Sequence, residues 1–146
     1  MFKKILLAND GSEASIHAAR MAINLSRIHG AALTAVYVVD PYPFIGIGEV
    51  NPVGFDAYMA AARQSAVQAH LQVLDLAKSL NHTGPLDELT VEDASATEGI
   101  VQTARDVGAD LIVMGSHGRS GVVRLLMGSV AQKVSTQSPV PVLLCK

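Results

Sequence analysis

Apolar runs and amphipathic stretches alternate along this chain from the first residues to the last. The run "KILLAN" (Lys4 to Asn9) stops at Asp10-Gly11-Ser12, a turn and helix-cap signal, and predicts a first buried strand. A helix to about His29 follows, with Ala14, Ala18, Ala19, Ala22, Ile23 and Leu25 as its apolar stripe and Gly30 as its stop. "ALTAVYVV" (Ala32 to Val39) is rich in β-branched residues and predicts the second strand, ended by Asp40-Pro41. The Pro/Gly-rich stretch from Pro41 to Asp56 predicts a long loop, the kind that serves as a lid, an interface or a mobile segment. A helical period then runs from Ala57 to Leu80. A strand is predicted from Leu86 to about Glu92, a helix over "TEGIVQTARDVG" (Thr97 to Gly108) and a buried strand over "DLIVMG" (Asp110 to Gly115). A short helix, "SVAQKVSTQS" (Ser129 to Ser138), and a last strand, "VPVLLCK" (Val140 to Lys146), complete the series.

Strands alternating with helices predict a parallel sheet covered on both faces. Right-handed crossovers leave few topologies, and the expected one is an α/β, doubly wound, five-stranded parallel sheet in order 3-2-1-4-5, with residues 1–146 as a single domain. Its switch point lies between strands 1 and 4, where this fold class binds ligands at the carboxyl ends of the strands. Asp10 leaves the end of strand 1, and "GSHGRSGVVRLLMGS" (residues 115 to 129) leaves the end of strand 4. The two most polar turns of the chain are therefore expected to meet there.

Composition narrows the function. With 49% hydrophobic and 16% charged residues, disorder is excluded. A net charge of −2 supplies no basic field for nucleic acid, so any anion site must be local. No apolar run reaches membrane-spanning length, and the apolar stretch after "MFKK" is too short for a signal peptide. One cysteine, Cys145, rules out an internal disulfide and suits a reducing cytosol, so a cytoplasmic protein is expected.

The segment after strand 4 is built like a phosphate cradle. Gly115 and Gly118 let the backbone turn around Ser116 and His117 and present several N–H groups. Gly128-Ser129 opens the last helix, whose first turn offers free N–H groups and positive dipole density, with the serine hydroxyl as one more donor. Arg119 and Arg124 lie between the two clusters and can neutralise phosphate. The plain alternative is that the glycines serve tight turns and the arginines are solvated.

At these residues the chain resembles the universal stress protein family, in its ATP-binding branch. Gly115-x2-Gly118-x9-Gly128-Ser129 matches the nucleotide motif of that branch, and "KILLANDGSE", "GADLIVMGSHGRSG", "LLMGSVAQKV" and "PVPVLLCK" extend the likeness over the whole chain. The resemblance implies an adenine nucleotide alpha hydrolase-like fold and bound ATP, with Mg²⁺ on its phosphates rather than on protein ligands. It places Ala8 and Asn9 on the adenine side, Val38 against the adenine through its backbone, and Asp10 beside the nucleotide. Met114 and Gly115 then flank the ribose and the approach to the phosphates, which Gly118, Arg119, Gly128, Ser129 and Val130 surround. It also implies a homodimer paired through the final strand, Val140 to Lys146; the alternative is that the Pro41–Asp56 loop covers that edge. One departure is the absence of the family's Gly-x-Pro element, where Ala94 and Ala96 stand here.

No catalytic residue is assigned. Asp10 competes with Ser12 for the cap of the first helix, and no activated nucleophile or second base is evident near His117. No G-x-x-x-x-G-K-[ST] loop is present, so ATP is expected to be held with little or no turnover in a regulatory or stress-response role. Slow hydrolysis, autophosphorylation or nucleotidyl transfer is the alternative, with Ser116, Ser120 and Ser129 as nearby hydroxyls. Adenylating enzymes of related fold carry S-G-G-x-D-S or H-I-G-H after strand 1, where this chain has "NDGSEAS". A receiver-type switch needs an acidic pair there, and only Asp10 is acidic. A dimerisation scaffold without nucleotide leaves the glycine motif unused.

Overall fold

Every strand of the sheet is parallel to its neighbours, and the order is β3-β2-β1-β4-β5, as the alternation predicts. The elements in chain order are β1 (Lys4–Ala8), α1 (Glu13–His29), β2 (Ala32–Val38), α2 (Pro52–Ser79), β3 (Leu86–Val91), α3 (Ala96–Val107), β4 (Leu111–Gly115), α4 (Ser129–Gln137) and β5 (Val142–Cys145). The computed structural model describes residues 1–42, 52–118 and 126–146.

Side-chain alternation along the central strands sorts the core into two layers. Ile5 and Leu7 of β1, Leu33 of β2 and Leu111 and Val113 of β4 point to one face and pack on Ala18, Ala19, Ala22 and Ile23 of α1 and Val73 and Ala77 of α2. Leu6, Ala8, Val36, Val38, Ile112 and Met114 point to the other and meet Ile100, Val101 and Ala104 of α3 and Ala131 and Val134 of α4. Strands buried on both faces read as continuous apolar runs, which is why β1 and β4 were legible as strands. Met59 of α2 joins Tyr37 and Val39 in a smaller cluster at the carboxyl end of β2.

The helix ends follow local chemistry. Ser12, not Asp10, caps α1, its hydroxyl accepting from the Ser15 N–H. Ser95 and Glu98 form a reciprocal capping box on α3. Gly30 and Gly108 end α1 and α3 in the left-handed region, at φ 65° and 67°, where a side chain would be strained.

Two boundaries differ from the sequence reading by more than one residue. The loop predicted from Pro41 to Asp56 is shorter, because α2 begins at Pro52; proline at a first helical position lacks an N–H that would have no acceptor there and supplies a helical φ. Residues 43–51, and the alternative that this loop covers the β5 edge, lie outside the described residues. β5 begins at Val142 rather than Val140, since Ser138 ties Val140 into a local turn and Pro141 contributes only its carbonyl to the ladder, accepting from Ile112.

His82, past the end of α2, fastens that helix to α1. The Ser26 hydroxyl gives its proton to the Ala31 carbonyl at 2.6 Å, so the His82 Nε2–H donates to Ser26 Oγ at 2.9 Å. Burial, and then the nearby Arg27 charge, hold the His82 imidazole below the ordinary histidine value of 6.5. As the pH falls below that value, the unfolded chain takes up a proton that the folded chain refuses. Stability is therefore full above it and declines as the pH falls toward the folded pKa. Urea-unfolding midpoints are expected to drop between about pH 7.5 and pH 5.5 by more in the native chain than in His82→Gln.

Candidate functional site

A cavity of about 320 Å³ opens at the carboxyl ends of β1, β2 and β4, within the size range of small-ligand pockets. Its walls include Ala8, Asn9 and Asp10 from the end of β1, Val38 and Asp40 from β2, Met114 to Gly118 from β4, and Gly128 to Ala131 from the start of α4. Ten of the eleven residues singled out in the sequence thus lie together: Ala8, Asn9, Asp10, Val38, Met114, Gly115, Gly118, Gly128, Ser129 and Val130. The eleventh, Arg119, lies outside the described residues, as does Arg124.

The floor is fixed by Asn9. Its buried amide donates to the Ala69 carbonyl of α2 at 2.9 Å, and its Oδ1 accepts from the Gly11 N–H and from the Ser15 hydroxyl, both at 3.1 Å. One side chain therefore binds the β1 turn, the first turn of α1 and the middle of α2 into a single wall. Asp10 uses Oδ1 to accept from the Ser12 N–H at 2.9 Å. Its other oxygen faces the opposite rim, for a Cβ placed on Gly118 would stand 3.2 Å from Asp10 Oδ2.

β2 contributes backbone. The Val36 carbonyl accepts from the Asn9 N–H, and the Val39 N–H donates to Val91 on the opposite side. By strand alternation, the N–H and C=O of Val38 point the same way as those of Val36, toward β1 but past its end. They lie at the switch point. α3 presses on this position so closely that a Cβ on Gly99 would stand 2.7 Å from Val38 Cγ2.

The two glycine clusters are joined directly. The Gly128 N–H donates to the Ser116 carbonyl at 2.7 Å, and the Ser116 N–H donates to Cys145 of β5 at 2.7 Å. Gly128 is the N-cap of α4 and provides no side-chain bond, unlike Ser12 on α1 and Ser95 on α3. The amides of Ser129, Val130 and Ala131 have no acceptor within the helix, because the first intrahelical bond of α4 is from Gln132 to Gly128. This uncapped helix start faces the cavity.

Several lining residues were not singled out from sequence as binding residues: Ser15, Val36, Asp40, Ala96, Ile100, Ser116, His117 and Ala131. Ser116 and His117 fall inside the recognised motif, and the structure adds what the sequence did not show, Ser116 Oγ lying 2.9 Å from His117 Nδ1. His117 Nε2 is buried and has no partner among the described residues. Ile100 and Ala96 reach the site only through the packing of α3, which no local motif announces. Among the described lining residues the carboxylates are Asp10 and Asp40, and neither Lys nor Arg is present. No cluster of three or more His, Cys, Asp or Glu able to hold a metal occurs among the described residues. Cys145 is half-buried on β5, and burial pushes its thiol up, in keeping with a small apolar strand residue rather than a reactive one. Among the described residues, no helix is long and apolar enough to cross a membrane.

The model of the universal stress protein family matches residues 1–146. A universal stress protein of Methanocaldococcus jannaschii is 34% identical over 149 residues, spanning 100% of this chain and 83% of its own. Among solved structures, the universal stress protein UspA from Lactobacillus plantarum superposes with a TM-score of 0.83 at 24% identity, covering 99% of this chain and 97% of its own. A universal stress protein in complex with cAMP superposes with a TM-score of 0.73 at 25% identity, covering 99% of this chain and 97% of its own.

Proposed function

This chain belongs to the universal stress protein family, and from that premise we propose that it binds ATP in the β1–β4 crevice and works as a nucleotide-dependent regulatory or stress-response protein with little or no turnover. The observation that carries this reading is the uncapped start of α4, bound through Gly128 to the Ser116 carbonyl and facing the cavity. Free helix-start amides attract an anion, and the absent side chain at Gly128 lets a phosphate reach them. Adenine falls to the apolar end of the cavity, against Ala8, Asn9 and the backbone of Val38. Met114 and Gly115 flank the ribose. Gly118, Gly128, Ser129 and Val130, together with Arg119, take the phosphates. The relative solved with cAMP holds an adenine nucleotide, which supports the choice of base.

The described walls carry two carboxylates and no basic side chain. A triphosphate beside Asp10 brings like charges together, and Mg²⁺ on the phosphates, reached by Asp10 through water, would offset them alongside Arg119. Titration of nucleotide-free protein is therefore expected to show ATP binding that weakens when Mg²⁺ is chelated. Asp10→Asn is expected to reduce the Mg²⁺ dependence. Binding that is indifferent to Mg²⁺ contradicts the cation bridge, and absence of binding contradicts the whole reading.

The Ser116–His117 contact favours a second reading, slow autophosphorylation. The Ser116 oxygen bonds the terminal phosphorus, the bond to the ADP oxygen breaks, and His117 Nδ1 takes the hydroxyl proton. Intact-mass measurement after incubation with ATP, on the native chain and on Ser116→Ala, decides between the two. We place the protein in the cytoplasm. We also propose a homodimer through β5, which is an edge strand of the sheet with four half-buried apolar residues.

A further inference from the structure

The crevice continues past the start of α4. A second cavity of about 400 Å³ adjoins the first, and the two share Asp40, Ala96, Ser129 and Val130. Resting on the nucleotide reading above, we propose that this second lobe binds a polyol carried on the terminal phosphate of the nucleotide, so that the site also takes an adenosine diphosphate esterified to a sugar.

Size and position set the argument. The second lobe is as large as the first, and none of Gly115, Gly118 and Gly128 lines it. The lobes meet at Ser129 and Val130, the phosphate end of the proposed site, with Asp40 and Ala96 completing the passage between them. An extension into the second lobe therefore continues from the phosphates rather than from the base.

The lining supplies the chemistry. Ser129, Lys133 and Gln137 lie at successive i, i+4 positions of α4 and line this lobe along one helix face. The Lys133 ammonium offers charged donors to sugar hydroxyl groups. Opposite stands the first turn of α3, where the amides of Ala96 and Thr97 have no acceptor within their own helix. Thr97 is only 8% exposed and belongs to the same lining. The Glu98 carboxylate is held in place by Ser95, whose N–H and hydroxyl both donate to Oε2, at 3.4 and 3.0 Å. Its Oε1 and the Asp40 carboxylate are acceptors for hydroxyl groups, and the Gln137 amide both donates and accepts. Among the described residues, the lining contains no aromatic ring on which a second base would stack. Carboxylates, an amide and a hydroxyl without a stacking surface suit a ribose or a hexose.

The proposal is tested by calorimetric titration of the nucleotide-free chain with ADP, ADP-ribose, ADP-glucose and diadenosine tetraphosphate. One or both sugar esters are expected to bind about tenfold more tightly than ADP, the gain of one charge-assisted hydrogen bond. The double variant Lys133→Ala/Gln137→Ala is expected to lose that advantage and to keep the affinity for ADP. Both positions are exposed on α4, where alanine is a good helix former, so the variant retains the fold, as its melting curve will report. The better of the two esters identifies pentose or hexose. Equal binding of ADP and its sugar esters overturns the proposal while leaving the nucleotide reading standing, as does a variant that weakens all ligands alike. Diadenosine tetraphosphate outbinding both esters overturns the polyol assignment in favour of a second base. Failure of every ligand, ADP included, overturns the nucleotide reading and this proposal with it.

Discussion

Gly115→Ala is expected to destabilise the fold by about 1–3 kcal/mol, the cost of overpacking a rigid contact. A Cβ at this position would stand 2.8 Å from Ala14 Cβ, 3.0 Å from the Ala14 backbone carbon and 3.1 Å from the His117 carbonyl oxygen. None of these is the end of a flexible side chain, so relief requires α1 to lift from β4 or the turn after β4 to open. Either movement displaces Ser116, and with it the bond from Gly128 that joins the two glycine clusters. Urea unfolding measures the loss, and for a chain of this size about 2–4 °C of melting temperature accompanies each kcal/mol. Gly118→Ala is the internal comparison. There the close atom is Asp10 Oδ2, on a side chain at the cavity rim, and little change in stability is expected.

The second large effect falls on binding. Gly128→Val is expected to lower ATP affinity by about a hundredfold or more, equivalent to about 2.7 kcal/mol, with a smaller effect on folding. Gly128 sits at φ −60° and ψ 151°, which any residue adopts, so backbone strain is not the cause. The cause is space: a Cβ would stand 3.1 Å from the Ser116 carbonyl, and the branched side chain would occupy the approach to the Ser129 and Val130 amides. Calorimetry on the two proteins, with melting curves alongside, separates loss of ligand from loss of fold. Undiminished affinity in this variant contradicts the placement of phosphate at the α4 start.

Most of the fold was legible because it is encoded locally. Central strands apolar on both faces, Ser12 before the first amphipathic helix, and Gly30 and Gly108 after their helices each announce an element within a few residues. The start of α2 was not legible in the same way. "NPVGFDAY" reads as punctuation, and the same proline opens a helix once the chain has turned. The shortened β5 reflects a serine turn at Ser138 that only the hydrogen bonds reveal.

The glycine and serine half of the site was legible because the backbone must turn and approach closely there, which restricts residue type. Asn9, expected on the adenine side, lines the cavity and also ties β1, α1 and α2 together, a role no local signal announces. Asp40, Ser15, Ala96 and Ile100 were not read as binding residues, since they come from three different elements or their ends and are brought together only by the parallel topology. The second lobe lies further still from any motif. Its floor is a capping box and its wall an ordinary exposed face of α4.

The central claim is that this crevice holds ATP, and the most direct measurement is to denature freshly purified protein and identify the released nucleotide by chromatography, with its stoichiometry per chain. The account predicts ATP close to one per chain, or uptake to that level when ATP and Mg²⁺ are added back to a stripped sample. A protein that releases no nucleotide and takes up none on addition of ATP and Mg²⁺ would contradict it.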